Sequence, residues 1–487
     1  MSASSRRSDK RPNIIWIMSD DLAWADCGYM GQHKIHTPNI DALACRGITF
    51  TRCYSGSAVC APSRSSLMQG LHQGHATVRA NMLGGYRHSL QPEDRTVAHV
   101  LKDAGYATGL FGKWGLSNYD QPGIPRTMGF DEFVGYLNQR HAHNYYPTHL
   151  WHNETRVEFP QHEGFDPKAP REYDENGRFT GGGMADPSQA VYSFDFCAEH
   201  SRRFVREHAD EPMFLYLPYT PPHGKLVVPD LGPYAHLDWP TQEHKEWAAM
   251  VTRMDEEIGR LIRLLRELDI YENTLIFFCS DNGYSPFTAV PKAKRQAGAP
   301  DLDEFFHHRG PFHGGKGDLH EGGLRVPCLA HWPAVIDQRR ESDFAWAFWD
   351  LLPTAAELGG ATELPPTDGL SIAPLLRDQA DDQVEHDFLY WEFFGAAGLE
   401  QSVVVGPYRA WRGSAEMPIE VYDVTTDGME TRDLAGEQPQ IVQRAQQLFE
   451  SEHAQSAYFP DPGETQEEWR KRADRQNAQL IDNIQTY

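Results

Sequence analysis

Nowhere do the 487 residues offer the roughly 18 consecutive apolar positions that a membrane helix needs, so no membrane partner is expected. Cysteine is scarce. Seven are present, at 27, 45, 53, 60, 197, 279 and 328, an odd number that excludes a full disulfide framework and leaves at least one free thiol. Basic charge is also short: 45 Lys plus Arg against 69 Asp plus Glu give a net charge of −24, which excludes nucleic acid as a general partner. A small anion would need a local basic pocket. The start, Met1 to Pro12, is polar and basic without the apolar core of a signal peptide. That points to the cytoplasm, or to a periplasmic or secreted protein if a signal has been removed. Repeats and low-complexity tracts are missing too. What is present, 40% hydrophobic, 11% aromatic and 23% charged residues, describes a folded protein with ample core.

The run Asn13 to Met18 is short, apolar and rich in β-formers, and it stops at Ser19-Asp20-Asp21. Thr37-Pro38 opens a helix that Gly47 is expected to cap, followed by the strand Ile48 to Thr51. The same β-α-β grammar recurs. Thr96 caps a helix to Gly105 before a strand over 106–111, a helix around 188–208 feeds Met213 to Leu217, and a helix around 241–268 feeds Thr274 to Phe278. The expected fold is α/β, several parallel strands in a helix-covered sheet. The stretches 151–190 and 285–313 read as long surface loops that shape pockets and carry specificity. Beyond Pro333 one helix from Phe344 to Leu358 and strands at 387–394, 401–411 and 418–424 suggest a small C-terminal α+β subdomain. The expected divisions are a polar tail over 1–12, a catalytic domain over 13–360, a C-terminal antiparallel-sheet subdomain over 361–460 and a polar helical tail over 461–487.

Ligands of open parallel sheets sit beyond the carboxyl ends of the strands. Asp20 and Asp21 lie there, as do Lys113, His223 after Pro221-Pro222, and Asp281 with Asn282. Three carboxylates and an amide are hard oxygen donors, suited to Ca2+ or Mg2+ rather than zinc, although Asp and Asn also serve as ordinary turn caps. Cys60-Ala61-Pro62-Ser63-Arg64 opens a helix that Gly70 ends, and Arg64 falls one turn after Cys60. A helix N-terminus and a guanidinium would then flank the Cys60 sulfur, both favouring an anion there. Cys53, Cys279 and Cys328 read as core thiols, and the cluster Phe344 to Trp349 as core packing.

The Cys60 to Arg64 motif resembles that of the type I sulfatases. So do Ser19-Asp20-Asp21, Gly112-Lys113-Trp114, Pro222-His223, Ser280 to Gly283 and Gly314-Gly315-Lys316 leading into Glu321 to Pro327, ordered over about residues 12–335. The resemblance implies an alkaline-phosphatase-like fold, a mostly parallel sheet between helices with a smaller C-terminal subdomain. It further implies oxidation of Cys60 to formylglycine by a formylglycine-generating enzyme, and one Ca2+ (or Mg2+) per chain held by Asp20, Asp21, Asp281 and Asn282. The hydrated aldehyde would attack a sulfate ester and then expel sulfate. Arg64, Lys113 and Lys316 would neutralise the sulfate, and His223 or Lys316 would protonate the leaving alcohol. The substrate implied is a sulfated small molecule or saccharide.

One position departs from the family pattern. Many sulfatases continue the lysine motif as Lys-Trp-His, whereas this chain reads Lys113-Trp114-Gly115. His141 or His143, from the segment His141 to Tyr146, is expected to restore an imidazole to the pocket, and His72, His75, Arg79 and Asn81 to border the substrate. Two other readings stay open: a phosphonate monoester or phosphodiester hydrolase of the same superfamily, and a catalytically silent sulfoglycan-binding homologue.

Overall fold

The structure is a computed structural model that describes residues 10–83, 86–167, 169–184, 186–286, 300–395, 398–475 and 481–482. Residues 1–9 of the expected N-terminal tail, 287–299 of the expected second loop, and 476–480 and 483–487 of the expected C-terminal tail lie outside the described residues.

Ten strands form the main sheet: β1 (Asn13–Asp20), β2 (Ile48–Phe50), β3 (Ala107–Lys113), β4 (Glu132–Tyr136), β5 (His149–His152), β6 (Thr155–Glu158), β7 (Met213–Pro222), β8 (Thr274–Ser280), β9 (Cys328–His331) and β10 (Arg340–Ser342). Their order is β10-β2-β9-β8-β1-β7-β3-β4-β5-β6. The pairings put eight of the ten in one direction, with β5 and β9 opposed. β1 sits at the centre, between β7 and β8, and alternation along it divides the core. Ile15 and Ile17 face one layer with α1 (Pro38–Ala44), α4 (Ser193–Glu207) and α5 (Gln242–Glu267), while Ile14, Trp16 and Met18 face the other. That second layer holds α2 (Cys60–Gln69), α3 (Val97–Asp103) and α6 (Leu351–Gly359). A strand buried on both faces needs the unbroken apolar run seen in the sequence.

The C-terminal sheet is antiparallel, in the order β11 (Leu389–Gly395), β12 (Gly398–Val405), β13 (Tyr408–Arg412) and β14 (Glu420–Asp423). One face packs on the helix Pro439–Ser451 through Tyr390, Val403, Leu448 and Phe449. The other rests on the body through Trp391 and Val404 against Tyr54, Leu319, Leu324 and Trp349. No helix among the described residues is long and apolar enough to cross a membrane.

Four local expectations change. The stretches 151–190 and 285–313, expected as loops, carry the end of β5 with all of β6 and a short helix at Leu302–Phe306. The helix expected over 344–358 is a strand pair at Trp346–Ala347, a 3-10 turn at Phe348–Asp350 and then α6, because Asp350 caps the Ala347 N–H and ends the extended stretch. The expected strand over 401–411 is two strands, turned at Gly406-Pro407. Gly47 is not a left-handed cap: a Cβ there would sit 2.4 Å from the Ala330 carbonyl oxygen, so the glycine permits close approach to β9.

Candidate active site

The carboxyl ends of the central strands converge. β1 ends in Asp20, and Asp21 turns the chain with a φ of 64°, a left-handed conformation that a non-glycine residue adopts only under constraint. Asp281 prolongs β8 by donating its N–H to the Ser19 carbonyl (2.9 Å), and the Asp21 N–H donates to Asp281 Oδ1 (3.2 Å). β3 ends in Lys113, and His223 follows the last residue of β7. Above this edge α2 begins at Cys60, and all ten of its residues are buried. Its N-cap, Val59, offers no side-chain acceptor, so the first turn finds partners elsewhere: Asn81 Oδ1 accepts from the Ala61 N–H at 2.8 Å. The Ser63 hydroxyl ties the helix to the Asp281 carbonyl at 2.6 Å.

Cys60 Sγ is 3.3 Å from Asp20 Oδ1 and 3.1 Å from Lys316 Nζ. Lys316 also reaches Asp21 Oδ1 at 2.5 Å, and Lys113 reaches Asp20 Oδ2 at 2.6 Å. Arg64 donates to Asp281 Oδ2 from Nε (3.2 Å) and Nη2 (2.8 Å), and to the Lys113 carbonyl at 2.7 Å. His223 Nε2 is 3.4 Å from Asp21 Oδ2, while its Nδ1 lies 2.5 Å from the Gly224 carbonyl oxygen. The carbonyl can only accept, so Nδ1 carries the hydrogen and the Nε2 of the neutral ring presents a lone pair. The sequence-expected Asp20, Asp21, Cys60, Arg64, Lys113, His223, Asp281, Asn282 and Lys316 are therefore brought into one buried cluster.

Charge in the cluster is balanced. Three carboxylates, Asp20, Asp21 and Asp281, meet three cations, Arg64, Lys113 and Lys316. Burial alone would raise the Asp20 carboxyl, but the positive charges around it, that of Lys113 foremost, hold it well below its usual value. Asp281 goes the other way: burial and the Asp20 charge push it up to about 6. Burial and the charges of Asp20 and Asp281 push the Cys60 thiol up to about 12. At neutral pH that side chain is a protonated, inert thiol.

The donor set fits a hard divalent cation. Asn282 Oδ1 is buried with no hydrogen-bond partner among the described residues, while its Nδ2 donates to Asp21 Oδ1 at 2.8 Å. Ligand atoms of Asp20, Asp21, Cys60 and His223 all lie within 4.8 Å of one another. Three carboxylates and an orphaned amide oxygen at one strand edge match the oxygen coordination of Ca2+ or Mg2+.

The Sulfatase family model matches residues 12–361. The chain belongs to the sulfatase family. Its relatives include human N-acetylgalactosamine-6-sulfatase, 30% identical over 381 residues, a match covering 75% of this chain and 66% of that enzyme. Among solved structures, Ps i-CgsB in complex with k-i-k-neocarrahexaose superposes with a TM-score of 0.75 at 25% identity, covering 95% of this chain and 98% of that one. The phosphonate monoester hydrolase of Agrobacterium radiobacter shares the fold at a TM-score of 0.62 and 19% identity, covering 91% and 95% of the two chains.

In this sulfatase the other expected pocket residues separate. His143 stacks on His223 with ring centroids 4.1 Å apart, at the edge of the cluster. His141 instead packs on His149 (4.5 Å) and Tyr136. His75 and Arg79 contact none of the cluster. His75 Nδ1 meets Asp368 at 3.0 Å, and Arg79 donates to Glu392 and to the Ala454 carbonyl, both at 2.9 Å, bracing the C-terminal sheet. His72 stacks on His75 (4.2 Å) with Nε2 3.4 Å from Glu452, and the Gly74 N–H donates to its Nδ1 at 3.2 Å. His72 Nε2 is buried with no hydrogen-bond partner among the described residues, and with His75 and Glu452 it forms a second group of possible ligand atoms at the seam between body and subdomain. Sequence reasoning missed Gln139, whose Oε1 lies 2.8 Å from the position a Cβ on Gly115 would take, near Lys113 and Arg64. The only signal for it was its place two residues before the histidine segment.

Proposed function

We propose that the protein hydrolyses sulfate esters, of a carbohydrate by preference, through a formylglycine formed from Cys60 and a divalent cation held by Asp20, Asp21, Asp281 and Asn282. The observation that carries this reading is the surroundings of Cys60. Its sulfur touches Asp20 and Lys316 inside a buried cup, yet as a thiol it is held protonated, so the position has the surroundings of a nucleophile without the reactivity of one. The hydrated aldehyde supplies a hydroxyl nucleophile and a second hydroxyl whose deprotonation expels sulfate, and the cation supplies the charge that acidifies them.

The chain's own residues do the rest. Arg64 holds Asp281 in place from two nitrogens, so its guanidinium lines the cup as a fixed positive wall. Lys113 orients Asp20, and Lys316, protonated beside position 60, can neutralise a sulfate oxygen or deliver a proton to the leaving alcohol. His223 presents its bare Nε2 to the same space and can take up a proton there.

Coexpression with a formylglycine-generating enzyme tests the proposal directly. The peptide carrying Cys60 should lose about 18 Da, the thiol-to-aldehyde change expected of this nucleophile. The matured protein should release sulfate from 4-nitrophenyl sulfate or a sulfated monosaccharide faster than it cleaves a matched phosphonate monoester. Faster phosphonate cleavage would transfer the assignment to phosphonate hydrolysis, and binding without turnover would make the protein a silent sulfoglycan binder.

A further inference from the structure

Gly115 continues the β3 edge past Lys113, alongside the end of β4: the Trp114 N–H donates to the Tyr136 carbonyl (2.9 Å) and the Gly115 N–H to the Leu137 carbonyl (3.0 Å). Its φ is +79°, and a Cβ built on it would lie 2.8 Å from Gln139 Oε1, 3.7 Å from Lys113 Cε and 3.8 Å from Arg64 Cδ. The space of a side chain at 115 is thus filled by the amide of Gln139, beside two of the cluster's cationic side chains. Gln139 is 4% exposed, and its Oε1 is buried with no hydrogen-bond partner among the described residues. The same loop carries a second orphan, His143 Nε2, on the ring stacked against His223.

A buried polar atom left unpaired costs about 1–3 kcal/mol, so two of them on one loop beside a reaction centre point to a ligand that pairs them. The loop does not need them as braces. Tyr145 Oη anchors it by donating towards the Thr220 (2.8 Å) and His223 (2.9 Å) carbonyls, and Asn138 Oδ1 accepts from the Arg140 N–H at 2.7 Å. A sulfate oxygen only accepts, so it would pair with the Gln139 amide in one orientation alone, the one that exchanges Nε2 for Oε1. A hydroxyl both donates and accepts, so it satisfies the Gln139 amide in either orientation and a neutral imidazole as well.

We infer that Gln139, together with His143 of the same loop, reads a hydroxyl next to the scissile sulfate and thereby selects a saccharide-type leaving alcohol over an aryl one. This rests on the sulfate-ester reading above and adds the residues that set its specificity. The test uses matured full-length protein with a panel of monosulfated hexoses and N-acetylhexosamines, the deoxy analogue of the best of them lacking the hydroxyl next to the sulfate, and 4-nitrophenyl sulfate. Gln139→Met keeps the volume and loses the hydrogen bonds. It should lower kcat/KM at least tenfold on the saccharide sulfate, less than threefold on 4-nitrophenyl sulfate, and by the same small factor on the deoxy analogue. Gln139→Ala should repeat the pattern, and it serves alone if the Met variant does not fold.

Equal losses on all three substrates, or none, would overturn the inference, as would a wild-type protein that cleaves the aryl ester and no saccharide sulfate. If neither variant folds, Gln139 is a structural residue and the inference fails. A matured wild type that cleaves no sulfate ester at all refutes the functional reading instead, and that result is read before any variant is made.

Discussion

Arg409 offers a perturbation whose size can be worked from its surroundings. It is fully buried on β13, where Nη2 meets Glu321 Oε1 at 2.5 Å, Nε lies 3.3 Å from Glu430 Oε1, and Nη1 donates to the Leu319 carbonyl (3.0 Å) and Ser402 Oγ (2.7 Å). It therefore fastens the C-terminal sheet to the segment that carries Lys316. Removing one partner of a buried ion pair costs about 3–5 kcal/mol, because the other charge stays behind. Two features place Arg409→Met near the lower end. Glu321 keeps Arg325 (3.0 Å) and the Tyr54 hydroxyl (3.1 Å), and Glu430, which burial has already pushed up to about 7, can take up a proton.

The sign of the pH dependence follows. Losing Arg409 raises the folded Glu430 value further above its ordinary 4.5, and a carboxyl raised in this way costs stability as pH climbs above that value. The Met variant should therefore lose about 3 kcal/mol at pH 8 and visibly less at pH 5.5. Adding Glu430→Gln should recover part of the pH 8 loss. Guanidinium unfolding followed by tryptophan fluorescence, with slopes compared as well as midpoints, measures this. A loss under 1 kcal/mol at pH 8, or one that ignores pH, would refute the reasoning.

Lys316→Ala should lower kcat/KM on a saccharide sulfate by 10²- to 10⁴-fold, the usual scale for a lost acid, and by less on 4-nitrophenyl sulfate, whose leaving group needs little protonation. If His223→Ala shows that leaving-group dependence and Lys316→Ala does not, His223 is the acid. His88 lies between Tyr458 and Trp469 with neither ring nitrogen bonded among the described residues, and burial followed by the Arg79 charge lowers it to about 3. Its share of stability is complete above the unfolded value of 6.5 and drains as pH falls, roughly 2 kcal/mol by pH 5. A His88→Phe variant should accordingly show a shallower acid limb in Tm against pH, and an unchanged limb would count against the assignment. Stripping divalent ions with a chelator should abolish turnover and lower Tm, both restored by Ca2+ or Mg2+; full activity after exhaustive chelation would remove the cation from the proposal.

Much of the fold and most of the cluster were legible because they rest on local chemistry. An apolar run that ends in Asp20-Asp21 is a buried strand with two carboxylates at its edge, and Pro62 inside the first turn with Gly70 at φ 67° marks both ends of α2. The misread pieces depend on distant partners. Trp346–Ala347 is extended because it pairs with Cys53–Tyr54, nearly 300 residues away in sequence, and nothing in the aromatic pattern shows that neighbour. His75 and Arg79 look like pocket residues in the sequence, and only the placement of Asp368 and Glu392 shows that they serve the seam. Gln139 was invisible for a further reason. Its meaning lies in an unpaired oxygen and in the absent side chain of Gly115, and neither is a pattern of residue types.

The charge balance gives the proposed cation a part in binding as well as in chemistry. Arg64, Lys113 and Lys316 are each committed to a carboxylate, so without a metal the cup offers a monoanion no net attraction, and the molecule around it carries −24. A divalent ion held by Asp20, Asp21, Asp281 and Asn282 would leave two positive charges in excess, enough to attract one sulfate monoester and to offset the charge on its oxygens. Inorganic sulfate should therefore inhibit the cation-loaded protein and bind the chelated protein far more weakly. Equal sulfate affinity in the two forms would mean that at least one of the three basic side chains is free of its carboxylate in solution, and the cup would then be built differently from the arrangement of Arg64, Lys113 and Lys316 described above.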